Sequence, residues 1–201
     1  PIRFCYSGNT FTNISSLQGK LCEVTQMGAE LIGDGSVQAD AEMIAMLIGC
    51  LKNAGLLQFQ VTIGQADYFR GLCEAAGLAK ETELALRENV SGKNIFGVED
   101  ILKQQHIAEE YREAFLRITE LFGSVEVLHR AEQLVSNERS LEAVERLKQL
   151  YELLTVYGAQ QYVSFDFGML SKYHYYTGVT FRAYTYGVGD AVAKGGRYDN
   201  L

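Results

Sequence analysis

Gln26 and Glu30 stand four residues apart in the run Thr25-Gln26-Met27-Gly28-Ala29-Glu30. On an extended strand that spacing puts both side chains on one face, with Met27 and Ala29 on the other. A carboxylate there could hold an ammonium, and the amide beside it a carbonyl or an imidazole edge. The same face also suits plain solvation, and the spacing fits both. Far along the chain, Tyr175-Tyr176-Thr177-Gly178 is followed by Gly195-Gly196-Arg197-Tyr198-Asp199. On a strand Tyr175 and Tyr176 face opposite ways, one into a core and one toward a site. Cross-strand aromatic packing accounts for the pair equally well. The two glycines permit a tight bend or a close backbone approach, which would place Arg197 and Tyr198 rigidly.

Other chemistries fail on spacing. Gly187-Val188-Gly189 lacks the third glycine and the helix of a dinucleotide fingerprint, so a hairpin turn explains it better. There is no GxxxxGK[ST] loop. His106, His129 and His174 lie far apart, without metal-ligand spacing, and the first two are expected on the surface or at helix ends. Neither a metal nor a cofactor is expected. No Ser/His/Asp order stands out.

The elements that must position these residues follow from periodicity. Residues 3–11 and 23–32 read as two strands of a long hairpin, joined by a polar loop over 12–20. Gly33-Asp34-Gly35-Ser36 reads as a turn, and Asp40 as the cap of a helix over about 41–54, with Ile44, Leu47, Ile48 and Leu51 as its apolar stripe. Gly55 suits the position just past that helix. Phe59, Val61 and Ile63 alternate as in a strand facing one core. From about Asp67 to Tyr157 the pattern is helical, with breaks near Gly77, Ser91-Gly92, Gly123 and Ser136-Asn137. Strand character returns over 161–166, 175–186 and 191–194. The sum is an α+β fold: an antiparallel sheet flanked by helices, with a helical insertion over about 67–157 in a single domain. Alternating βαβ units, which a doubly wound nucleotide fold needs, are absent from the pattern.

Composition bounds the rest. The chain has 201 residues, 47% hydrophobic and 21% charged, enough for one domain with a core. Its net charge of −7 argues against a nucleic-acid surface, although a local basic groove can sit on an acidic protein. Cys5, Cys22, Cys50 and Cys73 form no CxxC pair, and Cys50 falls in an apolar helical pattern where a thiol acts as a small hydrophobe. Reduced cysteines, with neither a secretory signal nor a membrane-length apolar run, point to the cytoplasm. The triplets Asn13-Ile14-Ser15 and Asn89-Val90-Ser91 would then carry no sugar. The chain starts without methionine inside a strand and stops at Tyr198-Asp199-Asn200-Leu201, so it reads as an excerpt truncated at both ends.

Taken together, the two stretches resemble the histidyl-tRNA synthetase family, of the class II synthetase fold, over nearly the whole chain. Tyr175-Tyr176-Thr177-Gly178 and Gly195-Gly196-Arg197-Tyr198-Asp199 carry the strongest likeness. Gly8 to Phe11 and Thr25 to Glu30 resemble the family's second class-defining motif. The departures are informative. Where the synthetases carry the arginine that grips the ATP α-phosphate, this chain has Thr12, and Asn13, Ile14 and Ser15 stand where a His-Glu-Arg run helps hold the nucleotide. Ser171 stands where the family's other catalytic arginine would be, with Lys172 beside it. Adenylate chemistry needs fixed cations where charge develops, and neither Thr nor Ser replaces arginine there. The residues that resemble the histidine pocket are kept: Gln26, Glu30, Tyr176 and Tyr198, with Tyr175 beside them.

An amino-acid pocket without a nucleotide site resembles the synthetase-like regulatory subunits of short-form ATP phosphoribosyltransferase. That resemblance implies a protein that performs no aminoacylation and takes no tRNA. It would bind L-histidine and assemble, as a homodimer within a hetero-oligomer, with the phosphoribosyltransferase catalytic subunit for activation and feedback. The alternative is a divergent, active histidyl-tRNA synthetase that binds ATP despite Thr12 and Ser171.

Overall fold

The structure, a computed structural model, describes residues 1–13, 21–171 and 175–200. Lys172, His174, Ile14 and Ser15 lie outside the described residues. The first unit is the hairpin of β1 (Ile2–Phe11) and β2 (Glu23–Ile32), paired antiparallel with Gly8 opposite Gln26, Tyr6 opposite Gly28 and Phe4 opposite Glu30. Its strands are largely exposed. At its base, Arg3 reaches Glu42 on the following helix, Nη2 to Oε2 at 2.7 Å.

That helix, α1 (Val37–Asn53), buries Ala41, Ile44, Ile48 and Leu51 at helical spacing. Its cap is Ser36, whose hydroxyl accepts from the Ala39 N–H at 3.2 Å. Asp40, expected as the cap, instead lies inside the first turn and is buried. Gly55 takes φ +85° just past the helix end, a conformation open to glycine at no steric cost. Cys50, expected among the apolar positions, faces solvent, and Cys73 is the buried thiol.

β3 (Phe59–Gln65) is the centre of a five-stranded sheet. After it the chain runs through α2 (Ala66–Ala75), α3 (Lys80–Ser91), α4 (Ile95–Gln104) and α5 (Glu109–Arg117) to a two-residue strand, β4 (Phe122–Gly123). α6 (Glu126–Gln133) and α7 (Glu138–Val156) follow, then β5 (Val163–Asp166), β6 (Val179–Thr185) and β7 (Ala193–Gly196). The strand order is β4-β5-β3-β6-β7. Pairing is antiparallel except between β3 and β5, which run parallel with Val61 opposite Val163. The helical excursion explains this joint, because only a long crossover can return the chain to lie parallel beside β3.

The helical stretch has two roles. α2 and α7 pack on each other, and α7 also packs on α1 and β3, covering one sheet face with Val144, Leu147, Leu150 and Leu154. α3 to α6 stack beyond them, and their buried Leu86, Val98, Phe115 and Leu128 join the same apolar cluster. Fully burying such side chains stabilises by about 1.5–3 kcal/mol each, which makes this cluster the main source of rigidity. The opposite sheet face is polar: Thr62, Ser164, Thr180, Arg182 and Tyr184 alternate with the core residues along β3, β5 and β6. Among the described residues no helix is long and apolar enough to cross a membrane.

Two strand expectations change. Only residues 179–185 of the stretch 175–186 are β-strand. The Arg70 Nη2 donates to the Tyr176 carbonyl at 2.8 Å, and the Thr177 N–H donates to the Arg197 carbonyl at 2.8 Å. The Gly178 carbonyl accepts from the Ala66 N–H at 3.0 Å. The backbone of 176–178 is thus satisfied by a helix start and a strand end rather than by a ladder. Likewise β7 runs through Gly195 and Gly196 instead of bending there.

Candidate functional site

Gln26 and Glu30 lie on one face of β2, as their spacing requires, and the hairpin brings Tyr6 onto the same face. The Gln26 Nε2 donates to the Tyr6 hydroxyl at 3.0 Å. The Tyr6 ring lies over Gly28, where a Cβ would sit 2.3 Å from its Cζ, so a larger residue there would displace the ring from this position. Two residues further along, Glu30 accepts a short hydrogen bond from the Tyr198 hydroxyl. Tyr198 meets Tyr175 edge-on with ring centres 6.4 Å apart, and Tyr175 meets Tyr176 at 4.4 Å. Gln26, Glu30, Tyr175, Tyr176 and Tyr198 therefore form a continuous group, although hairpin and tyrosine pair are separated by most of the sequence.

Tyr175 and Tyr176 do not face opposite ways as strand residues would. Lying outside β6, they pack against each other. Gly196 provides the room: a Cβ there would fall 2.5 Å from the Tyr176 ring. On the other sheet face, a Cβ on Gly195 would fall 2.2 Å from Phe181. The two adjacent glycines thus seat two aromatic rings on opposite faces of one strand, which is the close approach the sequence allowed.

Below this group a charged anchor fixes Tyr198. Arg197 donates through Nη2 to Asp40 Oδ1 at 2.8 Å, through Nη1 to the Asp34 carbonyl at 3.2 Å, and through Nη2 to the Ser36 carbonyl at 3.1 Å. Arg146 of α7 holds the other Asp40 oxygen at 2.6 Å. Nη1 of Arg197 also binds Asp199 at 2.9 Å. Two guanidiniums on one buried carboxylate make a stiff joint between α1, α7 and the residue preceding Tyr198. Sequence reasoning assigned no site role to Tyr6, Arg70 or Arg146, and read Asp40 only as a helix cap. Their partners lie too far away in sequence for any spacing rule to find them.

The electrostatics follow from this packing. The hydrogen bond to Glu30, with burial and the carboxylate's charge added, pushes the Tyr198 phenol up to about 12. Burial, with a hydrogen bond to Tyr175, pushes the Tyr176 phenol up as well. Both rings stay neutral donors at ordinary pH and face a carboxylate. A donor-rich planar ring with a polar N–H edge complements such a group: Glu30 can accept from the edge while aromatic faces cover the ring.

The positions expected to lack nucleotide-binding arginines lie elsewhere. Thr12 is exposed just past β1, where its N–H closes the hairpin onto the Cys22 carbonyl at 2.8 Å. Ser171 is half-buried beyond β5. His106 and His129 are exposed, and His106 takes φ +53° immediately after α4 ends.

Comparison with known proteins supplies the family. An ATP phosphoribosyltransferase regulatory subunit of Ruminiclostridium cellulolyticum is 44% identical across this whole chain, and one of Acetivibrio thermocellus is 41% identical. The chain spans about half the length of these curated relatives, 48% of each. A crystal structure described as an ATP phosphoribosyltransferase regulatory subunit/histidyl-tRNA synthetase from Bacillus halodurans superposes with a TM-score of 0.90 at 35% identity, over 99% of this chain and 52% of that one. Histidyl-tRNA synthetase from Nostoc shares the class II synthetase-like fold, with a TM-score of 0.81 at 19% identity, over 100% of this chain and 48% of that one. The sequence profile described as histidyl-tRNA synthetase matches residues 1–201, and the chain therefore belongs to the histidyl-tRNA synthetase family.

Proposed function

We propose that this chain is the histidine-sensing core of a regulatory subunit of ATP phosphoribosyltransferase, and that it performs no adenylate chemistry of its own. The observation that carries this reading is the Glu30–Tyr198 hydrogen bond, closed in by Tyr175 and Tyr176 and continued by Gln26 and Tyr6. A carboxylate framed by phenol rings suits the imidazole of L-histidine, with the Gln26 amide available to the amino-acid backbone. Thr12 and Ser171 leave uncharged hydroxyls where the resemblance places the synthetase arginines, and charge developing at phosphorus would go unstabilised there. The names carried by the relatives point the same way.

The working assembly is then a cytoplasmic homodimer within a hetero-oligomer that also holds the short-form phosphoribosyltransferase catalytic subunit. Histidine in the Glu30 pocket would bias that assembly, a coupling free energy between two sites. The test is a thermal melt of the intact protein with L-histidine. At a hundredfold excess over Kd the midpoint should rise by about 5 °C or more, and Glu30→Gln should remove the rise. No shift at millimolar histidine would sink the ligand assignment. Histidine-dependent ATP–pyrophosphate exchange at a synthetase-like rate would sink the non-catalytic one. Failure to co-purify with the catalytic subunit would sink the partner.

A further inference from the structure

A polar cavity of about 230 Å³ opens on the polar face of the sheet, lined by Thr62, Ser91, Lys93, Asp166, Arg182 and Tyr184 among others. That size is below the roughly 300–1,000 Å³ of pockets for drug-sized ligands, so it suits a small metabolite or part of one. Asp166 is already engaged: Oδ1 accepts from the Gly168 N–H at 2.8 Å and Oδ2 faces the Lys93 ammonium at 3.4 Å. The Ser91 hydroxyl donates to the Leu170 carbonyl, and Thr62 shares a hydrogen bond with Ser164. Arg182 is different. It lies half-buried on the interior strand β6, and among the described residues no carboxylate or other acceptor is hydrogen-bonded to it. The neighbouring Tyr184 hydroxyl, two residues along the same face, likewise has no acceptor among them. A guanidinium that faces a cavity without a protein acceptor leaves its N–H fork open to an anion.

A second cation stands at the rim. Lys93 takes φ +53° just after α3 ends, the left-handed position where glycine is the usual residue. A lysine there bears backbone strain that glycine would not. Its side chain lines the cavity, where Asp166 and the Phe122 ring, 4.3 Å below, hold the ammonium. The cavity therefore has two cations to one carboxylate, in a chain whose net charge is −7.

We propose that this cavity binds the phosphate group of a small metabolite, with Arg182 as its principal ligand and Tyr184 and Lys93 donating from the flanks. Donors converging from a strand and from the helical excursion suit a tetrahedral anion, which accepts from several directions, better than a planar carboxylate. Its lining shares no residue with the Glu30 and Gln26 group, although Arg182 also acts on the Tyr176 phenol through its charge, and the assignment does not depend on histidine being bound there.

The test is calorimetric titration and thermal melting of the intact protein with inorganic phosphate, against chloride at matched ionic strength and against malonate as the carboxylate arm. Phosphate should bind saturably and raise the midpoint beyond any general salt effect. Arg182→Gln should weaken it by about tenfold or more, the loss of one charged hydrogen-bonding partner. Tyr184→Phe should weaken it less, and Glu30→Gln should leave it unchanged while abolishing the histidine response. A phosphate response equal to chloride, or one retained in full by Arg182→Gln, would overturn the assignment. Saturable binding of malonate without phosphate would overturn its chemical class. If Arg182→Gln does not fold, Lys93→Gln and Tyr184→Phe carry the test, and undiminished phosphate binding in both overturns it.

Discussion

The Tyr198 hydroxyl donates to the Glu30 carboxylate across 168 residues of sequence, tying the end of the five-stranded sheet's last strand to the hairpin that begins the chain. That bond is the largest cause, with burial and the carboxylate's charge added, of a phenol pushed up to about 12, so its ionisation reports on the contact. The folded state favours the protonated phenol relative to the unfolded chain, where tyrosine titrates near 10. Its contribution to stability is therefore complete below pH 10 and is lost as the pH rises through about 12. NMR of Cζ-labelled tyrosine should show Tyr198 ionising near 12 in the native protein and closer to its ordinary value in Glu30→Gln. An unchanged titration in that variant would mean the bond does not form.

Asp40 was expected to cap α1, and Ser36 does so instead, which separates two variants that sequence alone would rank the other way. Ser36→Ala removes a cap and should cost about 1 kcal/mol. Asp40→Ala strands Arg197 and Arg146 around an empty, largely buried position, and should cost about 3 kcal/mol. Urea denaturation of both measures the difference. Comparable losses would show that the two guanidiniums find other partners.

Gly196 leaves room for the Tyr176 ring, and Gly196→Ala inserts a methyl 2.5 Å from it. The ring or the strand must shift, at about 1–3 kcal/mol for an overpacked site. The histidine response should fall with it, because Tyr176 leaves its place beside Tyr175. A fully retained response would show that Tyr176 does not touch the ligand.

Arg70 reaches the Tyr176 carbonyl at 2.8 Å and so holds the bend that turns both tyrosines to one side. It acts through the backbone rather than on a ligand. Arg70→Ala should weaken histidine binding by about tenfold, the loss of one charged hydrogen bond. The Tyr175–Tyr176 ring contact should loosen in parallel, visible as lost nuclear Overhauser effects between the rings. Weaker binding with those effects intact would assign Arg70 a different role.

Much of this was legible in the residue order. The bounds of β2, the shared face of Gln26 and Glu30, the helix containing Ile44 and Ile48, and the glycine at its end all follow from local periodicity and backbone preference. The run Tyr175-Tyr176-Thr177 misled because its composition is that of a strand. Its backbone groups bond to Arg70 and to the chain around Arg197, partners that propensity does not see.

The sequence by itself determined which side chains could make a pocket, because residue type and spacing fix chemistry and face. Only the tertiary structure decided that they meet. Glu30 and Tyr198 converge because Asp40, gripped by Arg146 and Arg197, locks the sheet's last strand to the helix that follows the hairpin. Such long-range ion pairs leave no periodic trace, since the distance between their members along the chain is set by the fold rather than by any local repeat.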